Sequence, residues 1–205
     1  MAKTNIKKIM KTGILADNPV TVQVIGICST LAVTNRMLNS LIMGVALAFV
    51  TAFSSMTVSL IKEKTPKHIR MMVQVLIIAA YVILVDIFLK AYMPEMSKAL
   101  GPYVGLIITN CIIMGRAEAF AISNPPVASF FDGLAAGAGY SLVLMIVSFV
   151  REILGFGSVF GIQILPESMT QWTMMIMPAG AFFILALIIW FSTSHQLKKK
   201  GAEPK

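Results

Sequence analysis

Residues Met37–Ile61 run for 25 positions without a charged side chain. At 1.5 Å per residue, a helix of that length exceeds the ~30 Å hydrocarbon core of a bilayer. Composition points the same way along the whole chain. Of 205 residues, 57% are hydrophobic and 13% charged, against roughly a quarter charged in a soluble domain. The sequence therefore predicts an all-α polytopic membrane protein. Its net charge of +8 does not argue for nucleic acid as a partner. The basic residues gather in short clusters between long uncharged runs, the pattern of membrane loops and tails.

Three more runs are long enough to cross. Residues 69–92 are interrupted only by Arg70, Asp86 and Lys90; residues 133–150 are closed by Arg151 and Glu152; residues 174–190 precede His195 and a lysine run. Residues 20–35 and 99–115 are apolar but short. The second begins with an Ala-Leu-Gly-Pro turn, so each offers about 14 helical residues, about 21 Å. Irregular backbone must complete such a crossing, and it survives at membrane depth only when packed in protein or lining a cavity. The count is six transmembrane passes in a single membrane domain. It divides into a basic N-terminus (1–17), a first half (18–98), a second half (99–194) and a basic tail (195–205).

No cleavable leader is expected ahead of the first apolar run, so the basic N-terminus stays inside. Six passes then place thirteen basic residues inside, among them Lys62, Lys64, Lys67, Arg70 and Arg116, and four outside: Arg36, Lys90, Lys98 and Arg151. That positive-inside bias predicts both termini in the cytoplasm, with the lysine tail (Lys198 to Lys200) resting on anionic lipid.

The halves open alike. Asn18-Pro19 precedes Cys28, and Gly101-Pro102 precedes Cys111, at the same spacing. Proline is favoured at the first helical position, so each short segment is expected to start a half-helix that reaches its cysteine about 13.5 Å later. Three passes per half make the second half enter from the opposite face. The expectation is a 3+3 inverted repeat whose first and fourth passes are half-helices meeting at the midplane.

Cys28 and Cys111 are the only cysteines. They could be packing, since free cysteine behaves as a small hydrophobe, or a disulfide. They could also be metal ligands. Thiolates suit zinc or iron–sulfur centres, which take four ligands, and neither His68 nor His195 is placed to complete a set. A metal site would therefore be shared with a second chain, and a [2Fe–2S] cluster would carry electrons through a low-dielectric layer. The cluster's negative charge would be offset in part by the half-helix N-termini.

Other polar residues divide between plain and functional readings. Asp86 either pairs with Lys90 at i,i+4 or relays a cation. Asp132 is either the N-cap of the fifth span or a collector of cations on a path through the membrane. Arg116 and Glu118 form an interfacial charge pair or line a docking site for an electron donor. Gly133, Gly137 and Gly139 give a small-residue face for close helix packing.

The run Asn18-Pro-Val-Thr-Val-Gln-Val-Ile-Gly-Ile-Cys-Ser-Thr-Leu-Ala-Val-Thr34 and the run Thr-Asn-Cys-x-x-x-Gly-Arg-Ala-Glu-Ala-Phe ending at Phe120 resemble a known family. It comprises membrane subunits shared by bacterial Na⁺-translocating NADH:quinone reductases and Rnf electron-transport complexes. The likeness extends from about Asn18 to Phe191 and includes Arg151-Glu-Ile-Leu-Gly155 and Phe160-Gly161. Asn18-Pro19 and Cys28-Ser29 look closer to the Na⁺-pump D subunits than to the Rnf E subunits. The resemblance implies an inner-membrane subunit of a complex that oxidises NADH, reduces quinone and exports Na⁺. It implies that Cys28 and Cys111 supply half the ligands of one [2Fe–2S] centre. The other half would come from a homologous E subunit in the opposite orientation. The A, B, C and F subunits would complete the complex, with NAD, FAD and FMN bound only there. An ion-conducting module with structural cysteines, or a purely structural subunit, remains the competing reading of the residues alone.

Overall fold

The fold was read from a computed structural model, which describes residues 20, 22–34, 36–156, 158–159, 162–163 and 177–200. The basic N-terminus, Asn18-Pro19 and Phe160-Gly161 lie outside the described residues. The elements are α1 (Ile27–Val33), α2 (Met37–Ile61), α3 (Arg70–Tyr92), α4 (Pro94–Ile108), α5 (Cys111–Arg116), a π-helical turn (Ala117–Ala121), α6 (Pro126–Phe156) and α7 (Pro178–Lys200). A two-residue antiparallel pair, β1 (Ser158–Val159) with β2 (Ile162–Gln163), is the one departure from helix among the described elements.

Four segments are long and apolar enough to cross a membrane: Met37–Ile61, Arg70–Tyr92, Gly101–Ala121 and Pro126–Gly155. The segment expected at 174–190 is shorter; its apolar helix is Ala179–Ser194, and 174–176 are outside the described residues. The fifth span is longer than expected. Pro126 occupies a first-turn position, where its missing N–H costs nothing, and the helix continues through Arg151 and Glu152 to Phe156. Those two charges were expected to end it. They are instead buried at 2% and 4% exposure because both have partners.

The short segments differ most from expectation. Residues 24–26 carry no regular structure, and α1 begins only at Ile27. Val24 has a positive φ of 55° and Gly26 of 83°. A β-branched residue at positive φ is a strained outlier, and the left-handed turn at Gly26 is what starts the helix in its new direction. Irregular chain thus precedes the half-helix rather than following it. In the second half no turn forms at residues 99–102. Pro94 sits in the first turn of α4 and Pro102 lies inside that helix, a position tolerated in membrane helices where neighbours satisfy the freed carbonyl. The break falls instead at Thr109-Asn110.

The core forms where α2 and α6 pack antiparallel at close range. Gly44 faces Ser141, Gly137 faces Ala48, and Gly133 faces Thr51 and Ala52. A Cβ on Gly133 would lie 2.8 Å from the Thr51 carbonyl oxygen, so the small-residue face predicted for α6 is a requirement of backbone approach. Leu47, Val50, Ile78, Ile112, Ile113, Tyr140 and Leu144 are fully buried around this seam.

Arg151 and Glu152 hold the elbow between α1 and α2. Arg151 donates to the Thr34 hydroxyl at 2.7 Å and to the Leu31 carbonyl at 3.4 Å. Glu152 accepts the Met37 backbone N–H at 2.7 Å. A cation therefore meets the carbonyl end of α1 and an anion the amide end of α2, each matching the partial charge there.

Candidate functional site

Cys28 is the second residue of α1 and Cys111 the first of α5. Both are free thiols and both are exposed. The residues beside them turn the other way: Ser29 and Thr30 are buried next to Cys28, and Asn110 and Ile112 flank Cys111 at 3% and 1% exposure. Each cysteine thus sits where an extended or left-handed backbone gives way to helix. Sequence spacing had placed them nine residues into helices begun by Pro19 and Pro102, and the helix starts are the correction.

Hydrogen bonds join the two sites. Asn110 caps α5, its Oδ1 accepting the Ile112 N–H at 3.0 Å, which satisfies one of the orphan donors of that helix. Its Nδ2 donates to Ser29 Oγ at 3.0 Å. Tyr140 of α6 donates its hydroxyl to the same Ser29 Oγ at 2.7 Å. Ser29 in turn donates to the Gly26 carbonyl at 3.0 Å, which also accepts from Thr30 Oγ1 at 2.9 Å. The neighbour of one cysteine is bonded directly to the neighbour of the other. Gly26 is also pressed against Ile112, so that a side chain there would stand 2.9 Å from Ile112 Cγ1.

The donor set around the thiols is sparse. Among the described residues no group of three or more His, Cys, Asp or Glu side chains comes together. Two exposed thiols offer half of a four-sulfur set, of the kind that zinc or an iron–sulfur centre takes.

The remaining candidates fall into pairs. Asp86 is bonded to Lys90 at 2.6 Å near the end of α3. Asp132 does not cap α6; it lies inside the helix, 3% exposed, and takes the Arg116 guanidinium in a two-point ion pair, with Nε to Oδ2 at 2.9 Å. Arg116 and Glu118 are therefore not each other's partners, because residues two apart on a helix face different ways. Glu118 approaches Arg70 at 3.7 Å and accepts from Gln74 Nε2 at 3.0 Å. The π-helical turn that carries Glu118 directly follows Arg116. Both acidic residues considered for a cation path already have cationic partners.

Tyr140, Asn110, Ser29 and Gln74 were not singled out from sequence. Asn110 carried a signal, since an Asn just before a short helix is a cap. Tyr140 did too, as the one aromatic hydroxyl in an Ala/Gly-rich span.

The chain matches a family model described as "Rnf-Nqr subunit, membrane protein" over residues 6–189. Three similar relatives are each named as the D subunit of a Na⁺-translocating NADH-quinone reductase. The protein from Pseudomonas aeruginosa (strain LESB58) is 47% identical over 92% of this chain and 87% of its own. That of Psychromonas ingrahamii is 47% identical over all of both chains. That of Shewanella putrefaciens is 45% identical over 96% of this chain and 97% of its own.

Proposed function

We propose that this chain, which belongs to the Rnf-Nqr family of membrane subunits, is the D-type subunit of a Na⁺-translocating NADH:quinone reductase. In this reading Cys28 and Cys111 supply two of the four thiolates of an intramembrane [2Fe–2S] centre. A homologous subunit in the opposite orientation supplies the other two. When bound, the cluster accepts and passes on one electron at a time. The chain holds the thiols outward at two helix starts, keeps the residues behind them dry and bonded, and closes the packing beneath them. NADH oxidation and its flavins belong to other subunits of the complex.

The observation that carries the reading is the Ser29–Asn110 hydrogen bond. It joins the residue after Cys28 to the residue before Cys111, and both cysteines are exposed, which supports a site shared by the two. Cys111 is the central residue of the Gly101–Ala121 crossing, which supports a site near the midplane. α1 is seven residues long, or about 10 Å, and so covers about two thirds of the ~15 Å between mid-depth and a membrane face.

The 3+3 inverted repeat has similar support. Aligning the start of α2 (Met37) on the start of α6 (Pro126) carries Gly44 onto Gly133, Ala48 onto Gly137 and Ala52 onto Ser141. The contact of Gly44 with Ser141 then maps onto that of Gly133 with Ala52, and Ala48 with Gly137 maps onto itself. A pseudo-two-fold axis through Ala48 and Gly137 has that property. Inner-membrane placement with both termini cytoplasmic follows from the bias of basic residues.

The test is iron content and quinone reduction in the purified complex with Cys28→Ala or Cys111→Ala. Loss of iron and of quinone reduction in either variant is expected. Full iron and normal turnover in both would return the cysteines to packing and favour an ion-conducting module. That module would require Asp86 or Asp132 to be released from Lys90 or Arg116.

A further inference from the structure

We infer that Tyr140, Ser29 and Asn110 form a buried bridge that fixes the two thiols relative to each other and tunes the potential of the centre they hold. The inference rests on the reading of Cys28 and Cys111 as cluster ligands. Tyr140 is a positioning residue in it: it acts through Ser29.

A hydroxyl can donate once and accept twice, and Ser29 uses all three capacities. It accepts from Tyr140 and from Asn110 and donates to the Gly26 carbonyl. All three side chains are buried, Ser29 and Asn110 at 3% exposure and Tyr140 at 0%. The bridge therefore runs from the residue after Cys28 to the residue before Cys111, with α6 as a third anchor. Packing alone does not call for the phenol. Phenylalanine at position 140 would fill the same apolar space with no polar group to bury. Ser29 would still keep Asn110 as its donor.

What the hydroxyl adds is fixed geometry and an oriented dipole. Its proton points from α6 toward Ser29, so the positive end of the O–H dipole lies on the cysteine side. Hydrogen bonds and burial around the sulfurs set the potential of such a centre, and residues behind metal ligands tune it through the same contacts. Removing the phenol takes away positive potential that favours the reduced state. The midpoint potential then falls.

The experiment is a redox titration followed by low-temperature EPR, in the intact complex, of wild type, Tyr140→Phe, Ser29→Ala and Ser148→Ala. Tyr140→Phe deletes a donor without orphaning an acceptor, so iron and signal are expected to stay. Its reduction equilibrium is expected to fall three- to tenfold, tenfold being 59 mV for one electron. Ser29→Ala removes the hub and is expected to fall further, with a broadened signal. Among the described residues the buried Ser148 hydroxyl has no hydrogen-bond partner, and its alanine variant is expected to titrate like wild type. Wild-type potentials in both bridge variants, or an equal shift in Ser148→Ala, would overturn the inference while leaving the ligand reading intact. A signal that persists in Cys28→Ser would overturn both.

Discussion

Gly137→Ala probes the seam on which the fold depends. The added Cβ would meet the Ala48 Cα, with Ala48 Cβ at 2.8 Å and Ala48 N at 3.3 Å. Carbon atoms prefer about 3.5–4.0 Å, so α2 and α6 must separate by roughly 1 Å along their closest line. Overpacking of this kind costs about 1–3 kcal/mol. Gly105→Ala provides the contrast. Nothing lies within 4 Å of a Cβ there, in α4, so the substitution gains the ~0.5–1 kcal/mol by which alanine exceeds glycine in a helix. The two variants should differ by about 1.5–4 kcal/mol. For a chain of this size that corresponds to a Tm gap of roughly 3–16 °C, read by thermal melting of the detergent-solubilised complex. Gly137→Ala melting together with Gly105→Ala would refute the close approach of α2 and α6. Tyr140 lies one turn further along α6, so the same variant is expected to disturb the bond to Ser29.

Asp132→Leu leaves the Arg116 guanidinium without its anion and is expected to cost about 3–5 kcal/mol, whereas Arg116→Met with Asp132→Leu recovers most of it; melts of the single and double variants read this. Asp86→Asn breaks a pair whose lysine is 65% exposed, so stability changes by less than about 0.5 kcal/mol and Na⁺ uptake by vesicles holding the complex stays normal. Lost uptake at unchanged stability would restore Asp86 to an ion path. Arg151→Met takes the donor away from the Thr34 hydroxyl and the Leu31 carbonyl at the α1–α2 elbow and is expected to cost about 1–3 kcal/mol, seen as a lower melting temperature.

Much of the architecture was legible because hydrocarbon admits few structures. The spans at Met37–Ile61 and Arg70–Tyr92 match the apolar runs expected at 37–61 and 69–92 almost residue for residue, and the cost of burying charge sets both ends of the first, between Arg36 and Lys62. The extension of α6 past Arg151 and Glu152 was hidden because that cost vanishes when partners arrive from Thr34, Leu31 and Met37. Those partners lie over a hundred positions away, and no local pattern reports them. The same limit applies at the site. Spacing picked out both cysteines, but proline misplaced the helix starts: Pro102 is carried inside α4, while Gly26 and Asn110, through a left-handed turn and a side-chain cap, begin the cysteine-bearing helices. Arg116 was matched to its nearest acidic neighbour in sequence, whereas helix geometry gives it Asp132.

The claim that Cys28 and Cys111 hold half of a shared cluster is met most directly by low-temperature EPR with iron analysis on the purified complex, wild type against Cys28→Ser. The account predicts the loss of one [2Fe–2S] signal and of its two irons per complex. An unchanged spectrum with full iron would contradict it.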